Sequence, residues 1–381
     1  MNPNLKKTQV YLHLREKIRQ GHLAPGEKLA GESVLASELG VSRVTLRETF
    51  ALLAADNLIE RVPRKGTFVT HNLDSGVYLL LSSRYENDLA LPVSYIRPGI
   101  EKAIHDAGHH LEFLSLPFVR SLDRGSATAI FNKKHIRGIF LLAGWFRGNE
   151  KELQILRDSG LPVVATHCLP DDREFFDYPI LYSDMPGAFA EGLEHLADSG
   201  YKRVLTLSLA GEQNKPWNCR GYNCQEYLQL LESKGLACEQ ELLRQAPYDY
   251  ASIKRIIDEV FASQAPPEAI MCFSDFIAIH VYQALKERKL RIPDDVAVMG
   301  FCGYPGGRFF EPPLSTIDLE YEQIGKMAAE VMLNQETWQK GCANPLTMRT
   351  PHQLVQRQST ARKKARTVSP LINHQPPTND Q

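Results

Sequence analysis

Several things are scarce or missing in this sequence. No run of eighteen apolar residues exists, so no stretch reads as a membrane-spanning helix. The opening residues, MNPNLKKTQ, lack the apolar core of a secretory leader. Net charge is nearly absent: 44 Lys and Arg against 45 Asp and Glu leave −1. Taken whole, the molecule therefore carries no electrostatic sign of a polyanion as its partner. The seven Cys are odd in number and scattered, and none forms C-x-x-C. That argues against a disulfide framework and fits a reducing compartment, the cytoplasm. Neither a phosphate-cradling P-loop nor a G-x-G-x-x-G run is present. What is there is ordinary: 43% apolar and 23% charged residues in a chain of 381, long enough for two or three cores.

Charge is unevenly placed. Residues 1–70 hold eleven Lys and Arg against seven Asp and Glu, and 359–381 hold Arg362, Lys363, Lys364 and Arg366 against Asp380 alone. The segment between must be acidic. In the basic N-terminal part, Val10, Leu14 and Ile18 recur at four-residue steps, the stripe of an amphipathic helix over residues 5–20. Gly21 and Pro25-Gly26 turn the chain. Glu32–Leu39 reads as a second helix stopped by Gly40, and Ser42 as the N-cap of a third. That third helix buries Leu46, Phe50 and Leu53 and leaves Arg43 and Arg47 exposed on its N-terminal half. Two β-prone runs follow, 58–62 and 67–70, joined by the basic turn Pro63-Arg64-Lys65-Gly66. Helix, turn, helix and a hairpin with a cationic tip form a winged helix-turn-helix. Arg43, Thr45 and Arg47 are placed to read base edges of double-stranded DNA, because Arg donates twice to guanine and Thr offers a methyl and a hydroxyl. Arg64 and Lys65 reach phosphates or the minor groove, and Gly66 lets the backbone come close. Glu32, Ser33 and Ser42 complete this candidate DNA-binding set.

Residues 6–70 resemble the GntR family of bacterial regulators. The stretches that carry the likeness are GHLAPGEKL, ASELGVSRVTLRETFALLAADNLIERV and KGTFV. Three positions depart from the family pattern. Ala30 stands where Pro is usual, Ser33 where Arg is usual, and Arg64-Lys65-Gly66 where the wing usually has G-x-G. The lost Arg removes a phosphate contact that Arg64 can supply.

After a short polar linker, 71–76, strands rich in Val, Ile and Leu alternate with amphipathic helices. Strands are expected at 77–81, 111–116, 136–142, 162–166, 203–208, 269–272 and 296–301. Helices are expected at 96–107, 127–133, 153–158, 188–198, 222–234, 251–262 and 276–287. Continuous apolar strands separated by helices mean parallel sheets covered on both faces. The fold class is α/β: a winged helix head followed by two Rossmann-like halves, with ligand residues at strand C-termini. Residues 77–360 resemble the LacI/GalR-type effector domain, related to periplasmic binding proteins, through AEGLEHLADSGYKRVLTLS, CFSDFIAIHVYQALKERKLRIPDDVAVMGF, EPPLSTIDLEYEQIGKMAAE and LVQRQST. The resemblance implies a head at 1–72 and a body at 77–358, made of 77–182 with 319–347 and 184–316 with 349–358, with crossings near Ser183, Thr316–Leu319 and Thr347–Thr350. Residues 359–381 read as a disordered basic tail. A head and body joined this way resemble sugar-responsive repressors of the arabinose type.

The same resemblance places ligand contacts at Ser82, Ser83 and Arg84, at Trp217, Asn218 and Arg220, at Ser274 and Asp275, and at Cys302. Three of these depart from the usual pattern: Asn218 for Arg, Ser274 for Asn, Cys302 for Asp. Losing that Asp removes an acceptor for a pair of sugar hydroxyls, so a small molecule in general is a firmer expectation than a sugar. Asp275, just before a helix, also reads as its cap. His105, Asp106, His109 and His110 cluster in sequence, but Gly108 divides them and they match no defined metal site. Cys219 and Cys224 read as incidental thiols. His167-Cys168 lacks a third catalytic partner. The expectation is a cytoplasmic, homodimeric transcription regulator, a repressor by family resemblance. It needs no cofactor, binds a DNA operator and a small-molecule effector, and has no enzyme activity or membrane contact. The alternatives are a regulator with an effector-free cleft, a small-molecule-binding protein, or an enzyme on a Rossmann-like scaffold.

Overall fold

The computed structural model describes residues 3–56, 58–70, 76–82, 92–131, 136–142, 148, 150–168, 174, 175, 177–210, 217–334 and 346–362. In the head, α1 (Pro3–Arg19) turns its Val10-Leu14-Ile18 stripe onto α3 (Arg43–Ala55), where Leu46, Phe50 and Leu53 are almost fully buried. Each such side chain contributes about 1.5–3 kcal/mol relative to an exposed one. The intervening α2 (Glu32–Glu38) ends at Leu39, and Gly40 adopts the left-handed φ of +63° that releases the chain. β1 (Ile59–Val62) and β2 (Gly66–Val69) pair antiparallel, with Val62 opposite Gly66. The stretch before α2 braces this hairpin from the other side: Leu29 N–H donates to Thr67 O and Val69 N–H to Glu27 O.

By internal contacts the chain divides into two compact units, one of residues up to Ser183 with Tyr321–Thr350, the other of Asp184–Glu320 with Pro351 onward. In the first, β3 (Val77–Ser82), β4 (His110–Ser115), β5 (Ile136–Leu142), β6 (Val163–Cys168) and β7 (Ile180–Tyr182) are joined through α4 (Val93–Asp106), α5 (Leu116–Ser121), α6 (Arg124–Phe131) and α7 (Lys151–Ser159). The central strands β3 and β5 are buried along almost their whole length, as parallel strands covered on both faces must be.

The second unit holds α8 (Met185–Asp198), β8 (Val204–Leu209), the two-residue strands β9 (Asn218–Cys219) and β10 (Tyr222–Asn223), and α9 (Cys224–Ser233). It continues with β11 (Leu243–Ala246), α10 (Tyr250–Phe261), β12 (Ala269–Cys272), α11 (Asp275–Glu287), β13 (Ala297–Cys302) and β14 (Ser315–Asp318). The chain then supplies α12 (Tyr321–Leu333) and β15 (Thr347–Arg349) to the first unit and β16 (Gln353–Val355) to the second. The first sheet is β15-β7-β6-β5-β3-β4, parallel throughout; the second is β11-β8-β12-β13-β14-β16, parallel except for β16.

Several boundaries differ from the sequence expectation by a few residues, and two of the differences have a local cause. The helix expected from 222 starts at Cys224, because Asn223 is its N-cap: Asn223 accepts from Glu226 N–H while the Glu226 carboxylate accepts from Asn223 N–H. The second crossing falls after Glu320 rather than within 316–319, because β14 pairs residue for residue with Met299–Cys302. The LVQRQST stretch is a lock, so Ser359 and Thr360, expected in a disordered tail, are buried and bonded, while 363–381 lie outside the described residues. Ser359 Oγ donates to Val298 O and accepts from Ser315 N–H, and Thr360 Oγ1 bonds His195 Nε2 at 2.8 Å and Ser315 Oγ at 2.7 Å.

α12 packs on α4 at backbone contact. A Cβ added to Gly99 would lie 2.0 Å from Glu322 O, and one added to Gly325 would lie 2.1 Å from Ile96 O. Gly99→Val or Gly325→Ala should therefore push the helices apart and cost about 3 kcal/mol or more. Gly306, with open space around its Cβ position, should accept Ala within about 0.5 kcal/mol. Urea unfolding of the three variants checks this.

Candidate nucleic-acid interface and ligand face

The candidate recognition surface of the head is assembled by side-chain hydrogen bonds. Ser42 Oγ accepts from Thr45 N–H at 3.0 Å and bonds Thr45 Oγ1 at 2.8 Å, so the cap is as expected and the Thr45 hydroxyl is engaged in it. Arg43 and Arg47 are exposed. Arg47 Nε donates to Glu32 Oε2 at 2.7 Å, and Arg61 Nη2, from β1, to Glu32 Oε1 at 3.3 Å. Glu32 thus sits between the recognition helix and the wing and orients an arginine from each. Such exposed pairs add little stability, about 0–1 kcal/mol; their effect is on geometry. Arg61 also lies over the Phe50 ring. Residue order alone did not reveal Arg61; its signal was a cation on the strand that leads into the basic turn. At the wing tip Lys65 N–H closes the turn on Val62 O. Arg64 at φ +64° and Gly66 at φ +125° take the left-handed region; at Gly66 that explains the glycine. Arg64, Lys65 and Ser33 are exposed.

In the first unit, Ser82 ends β3 and is buried; Ser83 and Arg84 lie outside the described residues. At the ends of the same sheet the structure brings together three rings the sequence did not single out as a group. Tyr95, at the start of α4, stacks on Tyr321 at 6.4 Å, and His167, at the end of β6 with φ +57°, meets Tyr321 edge-on at 6.1 Å. Cys168 beside it is buried, its thiol turned to Thr166 O. The histidines near Gly108 separate: His109 Nδ1 accepts from Gly76 N–H at 3.1 Å, while the His105 side chain is 82% exposed.

In the second unit, Arg220 is the centre of the strand-end edge. Its guanidinium carbon lies 3.6 Å from the centroid of Phe273 and 4.5 Å from that of Phe301, and Nη2 donates to Phe273 O and to Cys302 Sγ, the latter at 3.2 Å. So Arg220 and Cys302, 82 residues apart, are in contact. Asn218, exposed on β9, gives its carbonyl to Ser208 Oγ. Ser274 is buried with its hydroxyl on Tyr248, and it makes no side-chain cap of α11. Asp275 does not cap either. It is the first residue of α11 and points inward, accepting from Tyr304 N–H and Thr316 Oγ1–H at 2.7 Å each. Trp217 packs on Tyr227 and lines a different hollow of about 430 Å³ with Gln245, Arg255 and Glu259. Cys219 is buried, and burial pushes its thiol up to about 12.

A basic helix start and a basic wing tip on a three-helix core, followed in the chain by two α/β sheets, define a winged helix head and an α/β body. Comparison with known proteins agrees. The model of the gntR family of bacterial regulatory proteins matches residues 6–69, and that of the periplasmic binding protein-like domain matches 193–360. The transcriptional repressor PurR of Actinobacillus pleuropneumoniae serotype 3 is 25% identical over 227 residues, 60% of this chain and 65% of that protein. The repressor CytR of Escherichia coli K12 is 26% identical over 173 residues, 45% of this chain and 48% of its own. The chain thus spans about half to just under two-thirds of the length of these relatives. A LacI-family regulatory protein from Chloroflexus aggregans superposes with a TM-score of 0.60 at 18% identity, over 74% of this chain and 98% of its own. The regulator CelR in complex with cellobiose superposes with a TM-score of 0.57 at 18% identity, over 87% and 100%. The chain combines a GntR-type helix-turn-helix domain with a periplasmic-binding-protein-like domain of the LacI-type fold.

Burial pushes the Asp275 carboxyl up to about 7 against bonds from Thr316 and Tyr304 that favour its charged form. An acid whose folded value is raised contributes stability that is complete below its unfolded value near 4 and is lost as pH rises through 7. Asp275→Asn keeps both polar contacts and removes the titration. Its stability relative to wild type should improve between pH 5 and pH 8 by an amount on the order of a few kcal/mol. Denaturant unfolding at the two pH values measures it.

Proposed function

We propose that this protein is a DNA-binding transcriptional regulator, acting as a repressor, whose operator affinity is set by a small molecule bound in the body. The observation that carries the reading is the alignment of Arg43 and Arg47 on the recognition helix with Arg61, Arg64 and Lys65 of the wing, on a gntR-type domain. A sugar or related metabolite as effector is supported by the likeness to CelR, whose structure contains cellobiose. The protein acts in the cytoplasm, where the operator is; no helix among the described residues is long and apolar enough to cross a membrane.

The working form is a homodimer, since one head reads only a short half-site and paired heads read a palindrome. Ile279 on α11 and Phe309 in the turn after β13 are 45% and 76% exposed. Their elements meet through Phe276 and Tyr304, whose rings are 4.8 Å apart. Large exposed apolar side chains on adjoining elements suit a self-complementary face.

Fragments flanking the gene supply the DNA for the test. Arg47→Ala should weaken binding by about 5–150-fold, the worth of a bidentate base contact. Lys65→Ala should weaken it on all sequences alike and lower the salt slope by about 1. Equal affinity of wild type and both variants sinks the regulator reading. Changing Ile279 and Phe309 together to Asp should leave a monomer by analytical ultracentrifugation; an unchanged dimer disproves that face.

A further inference from the structure

We propose that Val44 is the residue of the recognition helix that selects a thymine, its side chain packing on the C5 methyl in the major groove; this rests on the reading of α3 as the element that enters DNA. Val44 is the second residue of α3 and is 66% exposed, more than any other described large apolar side chain of the head. An exposed valine alone means little; its setting carries the inference. The side chains three and four residues on, its neighbours along the helix surface, are each tied to a different helix. Arg47 bonds Glu32 of α2 at 2.7 Å, and Glu48 pairs with Lys7 of α1 at 3.6 Å. Val44 is left uncovered between these two pairs, next to the exposed Arg43.

Position and chemistry then single out the base. Residues in the first turn of a recognition helix reach base edges. A valine side chain neither donates nor accepts a hydrogen bond, so it cannot answer the polar atoms that adenine, guanine and cytosine present in the major groove. Thymine alone adds an apolar group there, its C5 methyl. Thr45, the other residue of this turn that could offer a methyl, is less well placed. It is half-buried, its hydroxyl bonds Ser42 Oγ at 2.8 Å, and its N–H donates to the same atom at 3.0 Å, which holds the side chain at the cap. The arginines on either side of Val44 suit guanine. Neighbouring side chains on a helix stand only about 5–6 Å apart, so the thymine lies within about two base pairs of a guanine.

The test starts from a duplex that the full wild-type chain selects from a random-sequence pool. Each thymine is replaced in turn by deoxyuridine, which removes the methyl and keeps the pairing, and affinity is measured at one salt concentration. Loss of the contacted methyl should weaken wild-type binding about fourfold, the worth of one buried methyl. Val44→Ala should bind the thymine duplex more weakly than the wild type does, and should bind the thymine and uridine duplexes equally. The site is exposed and Ala is the better helix former, so this variant should keep at least the wild-type Tm. Lys65→Ala, at the wing, should weaken both duplexes and keep their ratio. A loss of the same size in Val44→Ala overturns the proposal, as does a ratio that vanishes in both variants. So does a selected duplex in which no thymine methyl matters to the wild type, and that result leaves the regulator reading standing. Failure to select any duplex sinks the regulator reading and this proposal with it, so the two failures are distinguishable.

Discussion

Parallel strands cannot be joined by a tight turn, and this constraint organises the body. Each strand must be followed by a crossover that carries the chain back over one face of the sheet. In β3, β5, β12 and β13 the strand itself is therefore apolar nearly throughout and has no exposed side on which to place chemistry. Chemistry is left to the loops at the strand ends. Phe273, Cys302 and Asp318 sit at such ends in the second unit, with Arg220 brought to them by the antiparallel β9–β10 hairpin, and Ser82 and His167 in the first. The head meets the opposite situation. Its apolar side chains are gathered between the helices, and α3 leaves Arg43 and Arg47 exposed along its outer face.

The parts of this layout that depend on neighbouring residues were legible in the sequence. Gly40 and Ser42 separate two helices by their own backbone and hydroxyl chemistry, and the four-residue steps of α1 and α3 identify their buried faces. Strands such as β5 announce themselves because no helix of that length would be apolar all round. The three- and four-residue strands β7, β11 and β14 were missed, since so few residues show no period. They exist because a partner edge is there to pair with.

The site was less legible than the fold, for a related reason. Asp275 follows a strand and starts a helix, which suggests a cap or a ligand contact. It turns inward because Gly300 has no side chain: a Cβ there would lie 2.1 Å from Asp275 Oδ1. Nothing near Asp275 in sequence reports on Gly300. Trp217 and Arg220 are three residues apart, yet the first packs on Tyr227 and the second on Phe273 and Phe301. In the head, Glu32 looked like a contact for DNA. Its carboxylate accepts from both Arg47 and Arg61, a pairing across fifteen and twenty-nine residues that the residue order does not show.

The seating of α12 on α4 sets the order in which this protein can become whole during synthesis. The α4 face exists once residue 106 has left the ribosome, but the helix that covers it spans Tyr321–Leu333. Until then the nascent first unit has the α4 backbone around Ile96, Gly99 and Ile100 without the helix that packs on it. The second unit, by contrast, has α8 to β14 in one continuous stretch and lacks only its edge strand and the Ser359–Thr360 lock. The half of the body that is translated second is therefore the first that can close its core, and the half translated first waits for the chain to return.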